Sequence, residues 1–145
     1  MKSDAKIIGA FEVVSFPLLG MHDLVAKIDT GADTGALHVT HLEEVKPTKG
    51  QQGVLSFRLL NKKVMTHEYF HKNLVRSSSG HVEDRYFIKT EIAISGVTYP
   101  ITIGLTDRSS MKRAVLIGKR FLSEQKFLVD VRLHDTYRYA GRQQV

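Results

Sequence analysis

The feature that most constrains the fold is a pair of apolar runs separated by two residues. Residues 86–94 and 97–105 flank Ser95-Gly96, a glycine-containing pair typical of a tight turn between antiparallel strands. In the later run, apolar side chains recur at every second position, which places them on one face of a strand: Val97, Tyr99, Ile101 and Ile103. The pattern predicts a β-hairpin with one buried face.

The rest of the chain is also typical of a small all-β protein. Residues 53–60 alternate cleanly, with Leu55, Phe57 and Leu59 on one face. One or two helical turns are predicted near the carboxyl end, at residues 119–124. Short strands at this spacing favour a small closed barrel or a sandwich. Further strands are predicted at residues 7–16, 24–28, 114–117 and 127–131.

Length and composition limit the remaining choices. The 145 residues contain no repeat or linker, so they predict a single domain, 1–145, with its core at residues 11–133. No apolar stretch approaches the ~18 residues that a membrane span needs. The amino-terminal sequence MKSDAKIIGAFEVV is too charged for a secretory signal, so a cytoplasmic location is predicted. The absence of cysteine excludes disulfides and thiolate chemistry.

A net charge of +6 raises the question of nucleic-acid binding. The 21 lysines and arginines are scattered, however, and no more than two are consecutive. No aromatic RNA-binding pattern or helix-turn-helix signature accompanies them. We therefore interpret the positive charge as part of a solvated surface and predict no nucleic-acid partner. Binding to an acidic protein remains an alternative.

The segment AKIDTGADTGALHV contains the main candidate for catalysis. The apolar run 24–28 leads directly into Asp29, which Thr30, Gly31 and Ala32 follow. A strand would hold the carboxylate rigidly, and a glycine two residues later lets a backbone amide approach it closely. The threonine hydroxyl can hydrogen-bond across the site. Asp, Thr and Gly are also ordinary turn residues, so the tripeptide alone leaves a plain turn as the alternative.

A second apolar run, residues 114–118, ends in Ile117-Gly118 and precedes Lys119. Together with the Asp-Thr-Gly-Ala segment it resembles the retropepsins, the single-domain aspartic proteases of retroviral type. The resemblance implies an all-β closed barrel of the retroviral-type acid protease fold, with this run beside the catalytic loop. It also implies an ion pair between Asp33 and Lys119.

The chain is most similar to the bacterial and archaeal retropepsin-like group long called ATP-dependent zinc proteases, which is associated with ATP-grasp glutamate ligases. Asp33 and Gly35 stand where many members of that group have Arg and Ser, a departure that concerns substrate preference. No phosphate-binding loop supports the ATP-dependent label. The landmarks of the resemblance are Pro17 to Gly20, AKIDTGADTGALH, Arg76 to Gly80, Glu83 to Ile88, Leu105 to Arg108 with Met111, Leu116 to Gly118, and Phe127 to Asp130.

Aspartic-protease chemistry requires two carboxylates that share one proton. The chain has one Asp-Thr-Gly, so the resemblance implies a homodimer in which Asp29 of each copy contributes half of the site. No cofactor is expected. A protein or peptide substrate is expected, with a glutamylated one among the candidates. The alternative is a non-catalytic barrel that binds an acidic or glutamylated partner.

Retropepsins cover the site with a mobile hairpin, for which residues 73–84 are the candidate. Its tip would contain Ser77, Ser78, Ser79 and Gly80, whose small side chains let the backbone bend and bond an extended substrate. An ordinary exposed polar loop is the alternative interpretation.

The sequence HEYFH also matches the H-E-x-x-H signature of zinc peptidases, through His67, Glu68 and His71. That signature works only on a helix, where the two histidines share a face. The surrounding residues fit a short helix or a strand, and no third ligand follows at a familiar spacing. We therefore predict no catalytic metal and interpret the motif as a surface histidine cluster. Structural roles are expected for His22, His38, His41, Asp107 and Asp130.

Overall fold

The structure is a computed structural model that describes residues 6–46, 53–68, 70–76 and 79–133. The described residues are mostly β, as predicted, with one short α-helix near the carboxyl end. The elements are β1 (Lys6–Ile8), β2 (Phe11–Phe16), a 3₁₀ turn (Pro17–Leu19), β3 (Met21–Asp29), β4 (Gly35–His38), β5 (Thr40–Val45), β6 (Val54–Arg58), β7 (Val64–His67), β8 (Phe70–Arg76), β9 (Val82–Ile94), β10 (Val97–Thr106), β11 (Val115–Gly118), α1 (Lys119–Glu124) and β12 (Phe127–Val129).

Six strands close into a barrel in the order β10-β4-β11-β3-β2-β9, and the pairing of β9 with β10 completes the ring. Strand β8 pairs with residues 82–88 of β9, and the two strands form a hairpin that projects from the barrel. Two smaller sheets lie beside it: β5-β6-β7, and the parallel pair β1-β12. The closed-barrel prediction is confirmed, because pairing β9 with β10 leaves no open edge in the six-stranded ring.

The turn at Ser95-Gly96 joins β9 to β10 as predicted. Both residues have positive φ, 51° and 78°, which is the conformation of the tight turn that matches strand twist. Ile94 pairs with Val97, and the antiparallel register continues to Tyr86 opposite Leu105. The start of β9 lies earlier than predicted because its first half pairs with β8.

The predicted strand 7–16 is broken in two. Its first part, β1, pairs with β12, whereas β2 joins the barrel. A Cβ at Gly9 would overlap the carbonyl of Leu133, and the amide of Gly9 donates to the buried carboxylate of Glu12 at 2.8 Å. These contacts turn the chain between the two strands, and apolar pattern alone did not indicate them.

Apolar side chains from every strand of the barrel fill its interior, and the predicted face of residues 53–60 packs with them. Of the face predicted for β10, Tyr99, Ile101 and Ile103 belong to this core, whereas Val97, next to the turn, is 50% exposed. No helix in the described part of the chain has both the length and the apolar character needed to cross a membrane. The fully buried large side chains include Phe16, Leu37, Phe57, Ile88, Ile103 and Ile117.

Candidate active site

Asp29 is the last residue of β3, at the point where three barrel strands meet. Strand β11 runs between β3 and β4, parallel to β3 and antiparallel to β4, with Gly118 opposite Asp29. The chain that leaves Asp29 must therefore cross the end of β11 before it returns as β4. This crossing places the carboxylate at the end of a rigid strand, as the sequence predicts.

Backbone hydrogen bonds hold the loop that follows Asp29. The amide of Gly31 donates to Oδ1 of Asp29 at 2.9 Å, and the amide of Ala32 donates to the carbonyl of Asp29 at 3.2 Å. From the other side, the amides of Lys119 and Arg120 donate to the carbonyls of Ala32 and Asp33, at 2.8 and 3.0 Å respectively. The carboxylate and its loop are therefore attached both to β3 and to the first turn of α1.

Two glycines permit this crossing. A Cβ on Gly118 would lie 2.5 Å from the carbonyl carbon of Thr34, and a Cβ on Gly35 would lie 2.5 Å from the carbonyl oxygen of Leu116. Both distances are shorter than real carbon contacts, so a side chain at either position would push the loop away from β11. Ile117, between these contacts, is fully buried in the barrel.

The predicted ion pair between Asp33 and Lys119 is wrong. Oδ2 of Asp33 lies 2.8 Å from Nη2 of Arg120 instead. Consecutive residues of a helix point roughly 100° apart, so the orientation of α1 directs only one of the two basic side chains towards the loop. Both partners are largely exposed, and such surface pairs contribute about 0–1 kcal/mol.

Asp29 lies on the outer face of the barrel, and so does Arg85. Residues opposite one another in paired strands share a face, and so do residues two apart. By this rule four residues lie on the outer face, because β4 pairs with both β11 and β10: Asp29 of β3, Gly118 of β11, Gly104 of β10 and Phe87 of β9. Arg85 is two residues before Phe87, and a Cβ on Gly104 would lie 2.6 Å from Cδ of Arg85.

A second arginine, Arg108, follows the end of β10 and interacts electrostatically with Asp29 and with Arg85. Its Nε donates to the carbonyl of Arg113 at 3.1 Å. Burial lowers the pKa of Arg108 below its usual value, the charge of Arg85 lowers it further, and the charge of Asp29 opposes both. Both arginines lie within the landmarks of the family resemblance, but the sequence alone indicates no role for them, because their proximity depends on strand pairing.

His38, predicted to be structural, positions the loop of Arg108. It is buried at the end of β4, and its Nδ1 accepts the amide hydrogen of Arg108 at 2.8 Å, which requires the neutral ring. Burial lowers the pKa of His38; the carboxylate of Asp107, 3.7 Å from Nδ1, opposes this, and the charge of Arg108 adds to it. The lone pair of Nδ1 is therefore already used and is not available to bind a metal.

The segment proposed to cover the site belongs to a hairpin of β8 and β9, in which Arg76 pairs with Val82; its covering role stays a prediction. Ser77 and Ser78 lie outside the described residues, whereas Ser79 and Gly80 lie in the turn, with φ of 86° at Gly80. A cavity of about 460 Å³ separates the base of the hairpin from the loop after Asp29. Its lining includes Thr34, Gly35, His71, Asn73, Phe87, Lys89, Thr102, Arg120 and Phe121.

The HEYFH segment does not form the helix that the zinc signature requires. His67 ends β7, and His71 lies in β8, which belongs to a different sheet. The ring of His71 stacks on Phe87 with centroids 5.3 Å apart. Among the described residues, no three His, Cys, Asp or Glu side chains are grouped so that they could hold a metal ion. The two histidines and Glu68 therefore lack the zinc-peptidase arrangement.

Curated relatives that resemble this chain are longer proteins. A probable alpha-L-glutamate ligase of Shewanella halifaxensis is 31% identical over 137 residues, which are 90% of this chain and 29% of that protein. A probable alpha-L-glutamate ligase of Desulfotalea psychrophila is 27% identical over 127 residues, 83% of this chain and 27% of that protein. The chain thus spans less than a third of the length of these relatives.

A solved structure and a family model match most of the chain. The crystal structure of a Legionella pneumophila protein of unknown function superposes with a TM-score of 0.71 and 25% identity, covering 93% of this chain and 99% of that one. The RimB-like family model, described as retropepsin-like aspartic endopeptidase RimB, matches residues 7–138. That range includes the Asp29 loop, both glycines of the crossing and the β8–β9 hairpin. The chain therefore belongs to the RimB-like family of retropepsin-like aspartic endopeptidases.

Proposed function

We propose that this protein is an aspartic endopeptidase that works as a homodimer, with Asp29 of both copies in one active site. The observation that carries the proposal is the setting of Asp29: its carboxylate is half-buried on the outer face of the barrel and accepts the amide of Gly31. Thr30 and Ala32 complete the loop, and Gly118 and Lys119 support it from the other side. A carboxylate fixed at an outer surface is available to meet its copy across a two-fold axis.

The chemistry follows from two carboxylates that share one proton. The ionised aspartate removes a proton from a water molecule as its oxygen bonds to the peptide carbonyl carbon. The protonated aspartate donates a hydrogen bond to the carbonyl oxygen, where negative charge develops. When the carbon–nitrogen bond breaks, the leaving amine takes a proton from the pair, and both aspartates return to their starting state.

The parallel sheet β1-β12 is the surface that we assign to the dimer. Ile7 and Leu128 are opposite each other in this sheet, and the two residues are 62% and 56% exposed. The sheet adjoins the end of β3, because the amide of Ile28 donates to the carbonyl of Ala10 at 2.9 Å. Burial of this apolar patch against a second copy is the dimer contact in this proposal.

The substrate in this proposal is an extended polypeptide that lies between the Asp29 loop and the β8–β9 hairpin. The cavity beside Thr34 and Gly35 gives room for side chains, and Ser79 and Gly80 of the hairpin would contact the substrate backbone. Similarity to part of the probable glutamate ligases favours a polypeptide that carries added glutamates. A cytoplasmic location remains a prediction.

The proposal is tested with wild type and Asp29→Asn, each incubated with an unfolded protein and with glutamylated peptides from pH 4 to 8. Cleavage by wild type alone, unaffected by a chelator, supports the aspartic mechanism. Equal binding by both proteins without cleavage would identify a binding module instead, and cleavage that a chelator abolishes would indicate a metal enzyme. In parallel, Ile7→Asp is expected to convert a dimer to an inactive monomer in analytical ultracentrifugation.

A further inference from the structure

Tyr86 marks the point where the β8–β9 hairpin leaves the barrel. The pairing of β9 with β10 ends there, at Tyr86 opposite the buried Leu105, so the tyrosine ring lies on the inner face and packs against the core. The next inner-face positions towards the tip lack this support: Asp84 is exposed, and Leu74 opposite it is 72% exposed. Among the described inner-face residues of the hairpin, Tyr86 is therefore the last that packs against the barrel.

Contacts with β5 and β8 hold the side chain of Tyr86. Its hydroxyl donates to Oε1 of Glu44 in β5 at 3.1 Å. The ring of Phe70 in β8 meets the Tyr86 ring edge to face, with centroids 5.6 Å apart. The ammonium group of Lys72, also in β8, lies 5.3 Å from the centroid of the Tyr86 ring. Tyr86 thus joins both strands of the hairpin to a strand of the separate β5-β6-β7 sheet.

The β5-β6-β7 sheet fixes the acceptor of this bond. Glu44 is opposite Leu55 of β6, which is fully buried, so both side chains lie on the face of this sheet that packs on the core. The carboxylate of Glu44 occupies the space beside Gly53, where a Cβ would lie 2.8 Å from Oε2. Because Leu55 and Phe57 belong to the same core as the barrel strands, this sheet is a firm support for the hairpin.

Beyond Tyr86 the hairpin borders open space. A cavity of about 250 Å³ lies between Glu83 and Asp84 of β9 and residues 40–42 of β5. A hairpin that is packed as far as Tyr86 and borders a cavity beyond it has room to turn about that residue. The bond to Glu44 restrains such a turn, because it runs from the turning strand to the firmly packed sheet.

We propose that the hydrogen bond between Tyr86 and Glu44 sets the position of the β8–β9 hairpin relative to the Asp29 loop, which makes Tyr86 a positioning residue for substrate. This inference rests on the proposed peptidase function. His71 and Asn73 of the hairpin line the larger cavity beside the Asp29 loop, so the angle of the hairpin determines the width of the space for substrate. Loss of the bond widens the range of hairpin positions and weakens substrate binding, while the loop that holds Asp29 is unchanged.

Hydrogen–deuterium exchange with mass spectrometry tests the position of the hairpin directly. Tyr86→Phe removes the hydroxyl and keeps the ring, so backbone amides of residues 70–76 should exchange about 3–10-fold faster, as expected when one hydrogen bond no longer opposes a local opening. Strand β3 should exchange as in wild type. Tyr99→Phe is the matched control, because it removes the same atom from a ring that packs against α1 and β12, and it should leave the hairpin unchanged.

A double-mutant cycle tests the pair itself. Glu44→Ala should accelerate exchange as much as Tyr86→Phe, whereas Glu44→Gln keeps an acceptor oxygen and should retain part of the protection. The double variant of Glu44→Ala and Tyr86→Phe should exchange no faster than either single variant. Unchanged exchange in Tyr86→Phe, equal acceleration in Tyr99→Phe, or effects that multiply in the double variant would each overturn the proposal. If Tyr86→Phe does not fold, Glu44→Ala decides alone, with Glu44→Gln as its control.

A peptide cleavage assay tests the consequence for substrate. Tyr86→Phe and Glu44→Ala should raise KM about 3–10-fold and leave kcat within about twofold of wild type, because the bond acts on binding and Asp29 is unaltered. A lower kcat with unchanged KM contradicts the positioning role. If wild type cleaves no peptide, the exchange measurement still decides: acceleration confined to the hairpin supports the bond to Glu44 as its restraint and rejects only the reaction.

Discussion

The loop after Asp29 and the β8–β9 hairpin face each other across one cavity but are built in opposite ways. The loop is bonded to β3 on one side and to α1 on the other, and it crosses β11 at distances that only glycine allows. Among the described strands, β8 of the hairpin pairs only with β9, and Leu74 in it is 72% exposed. The groups that would perform the chemistry are thus fixed, while the part that would receive the substrate is held along one edge.

The same contrast separates the two sequence motifs that suggest a protease. The Asp-Thr-Gly segment lies in the rigid region, where the amide of Gly31 bonds to the carboxylate and further backbone bonds hold the loop. The HEYFH segment connects β7 to β8, the first strand of the hairpin, and its two histidines belong to different sheets. A short motif therefore indicates chemistry only if the fold around it supplies the geometry that the chemistry needs.

The largest expected effect is on activity. Asp29→Asn should reduce kcat at least about a thousandfold, because the amide cannot serve as the base of the pair. His67→Ala and His71→Ala should retain kcat within a few-fold of wild type. The measurement is a peptide cleavage assay on proteins with matched melting temperatures. A thousandfold loss in the histidine variants and none in Asp29→Asn would show that the HEYFH motif, and not Asp29, performs the reaction.

The next effect is on stability. Gly118→Ala should lower the free energy of unfolding by about 2–3 kcal/mol, because the added Cβ meets the backbone of Thr34 at 2.5 Å. Gly80→Ala in the hairpin has open space around the Cβ, so its cost is that of positive φ for alanine, about 1 kcal/mol. Urea unfolding measures both. If Gly80→Ala were the more damaging change, the hairpin would be the more tightly constrained region.

A smaller effect is expected from pH. The pKa of His38 is lowered in the folded protein, so folding favours the neutral ring. Its contribution to stability is complete above the unfolded pKa of about 6.5 and decreases as the pH falls from there towards the folded pKa. The bond from the amide of Arg108 to Nδ1, worth about 1 kcal/mol, is lost with that protonation.

The check is urea unfolding of wild type and His38→Asn between pH 5 and 8. The asparagine oxygen can accept the same amide hydrogen and does not titrate, so the difference in stability between the two proteins should shift in favour of the variant at low pH. A difference that stays constant with pH would show that His38 does not titrate in this range.

The smallest effect is expected at the rim of the rigid loop. Asp33→Asn removes the ion pair with Arg120, whose partners are largely exposed, so the free energy of unfolding should change by less than about 1 kcal/mol. The change should also disappear in high salt. A larger, salt-independent loss would mean that this side chain supports the loop as strongly as its backbone does.

Local patterns predicted those parts of the molecule that local forces determine. The Ser95-Gly96 turn, the strand before Asp29 and the helix at residues 119–124 were all predicted, because each depends on a few consecutive residues. Strand β5 was missed, because the sequence THLEEV has two adjacent acidic residues and no strong apolar alternation, and it becomes a strand by pairing with β6 through a bulge. The break at Gly9 was missed because its cause, Leu133, lies at the other end of the described chain.

In the site, too, the local features were predicted and the contacts between distant segments were not. Asp29 and the glycine opposite it were found through motifs, but the partner of Asp33 depended on the rotation of α1 and was assigned to the wrong neighbour. The closeness of Arg85 and Arg108 follows from the register of β9 with β10, which no single segment specifies. Spacing along the chain therefore identified the Asp29 loop but not the charges around it.

The bonds from Lys119 and Arg120 to the loop have one mechanical consequence. Since the first two amides of α1 donate to Ala32 and Asp33, the helix and the loop move as one body. Phe121, in the same helix, forms part of the cavity wall. A molecule that pushes against this wall would also act on the loop that holds Asp29, so occupancy of the cavity and the position of this carboxylate are coupled through α1.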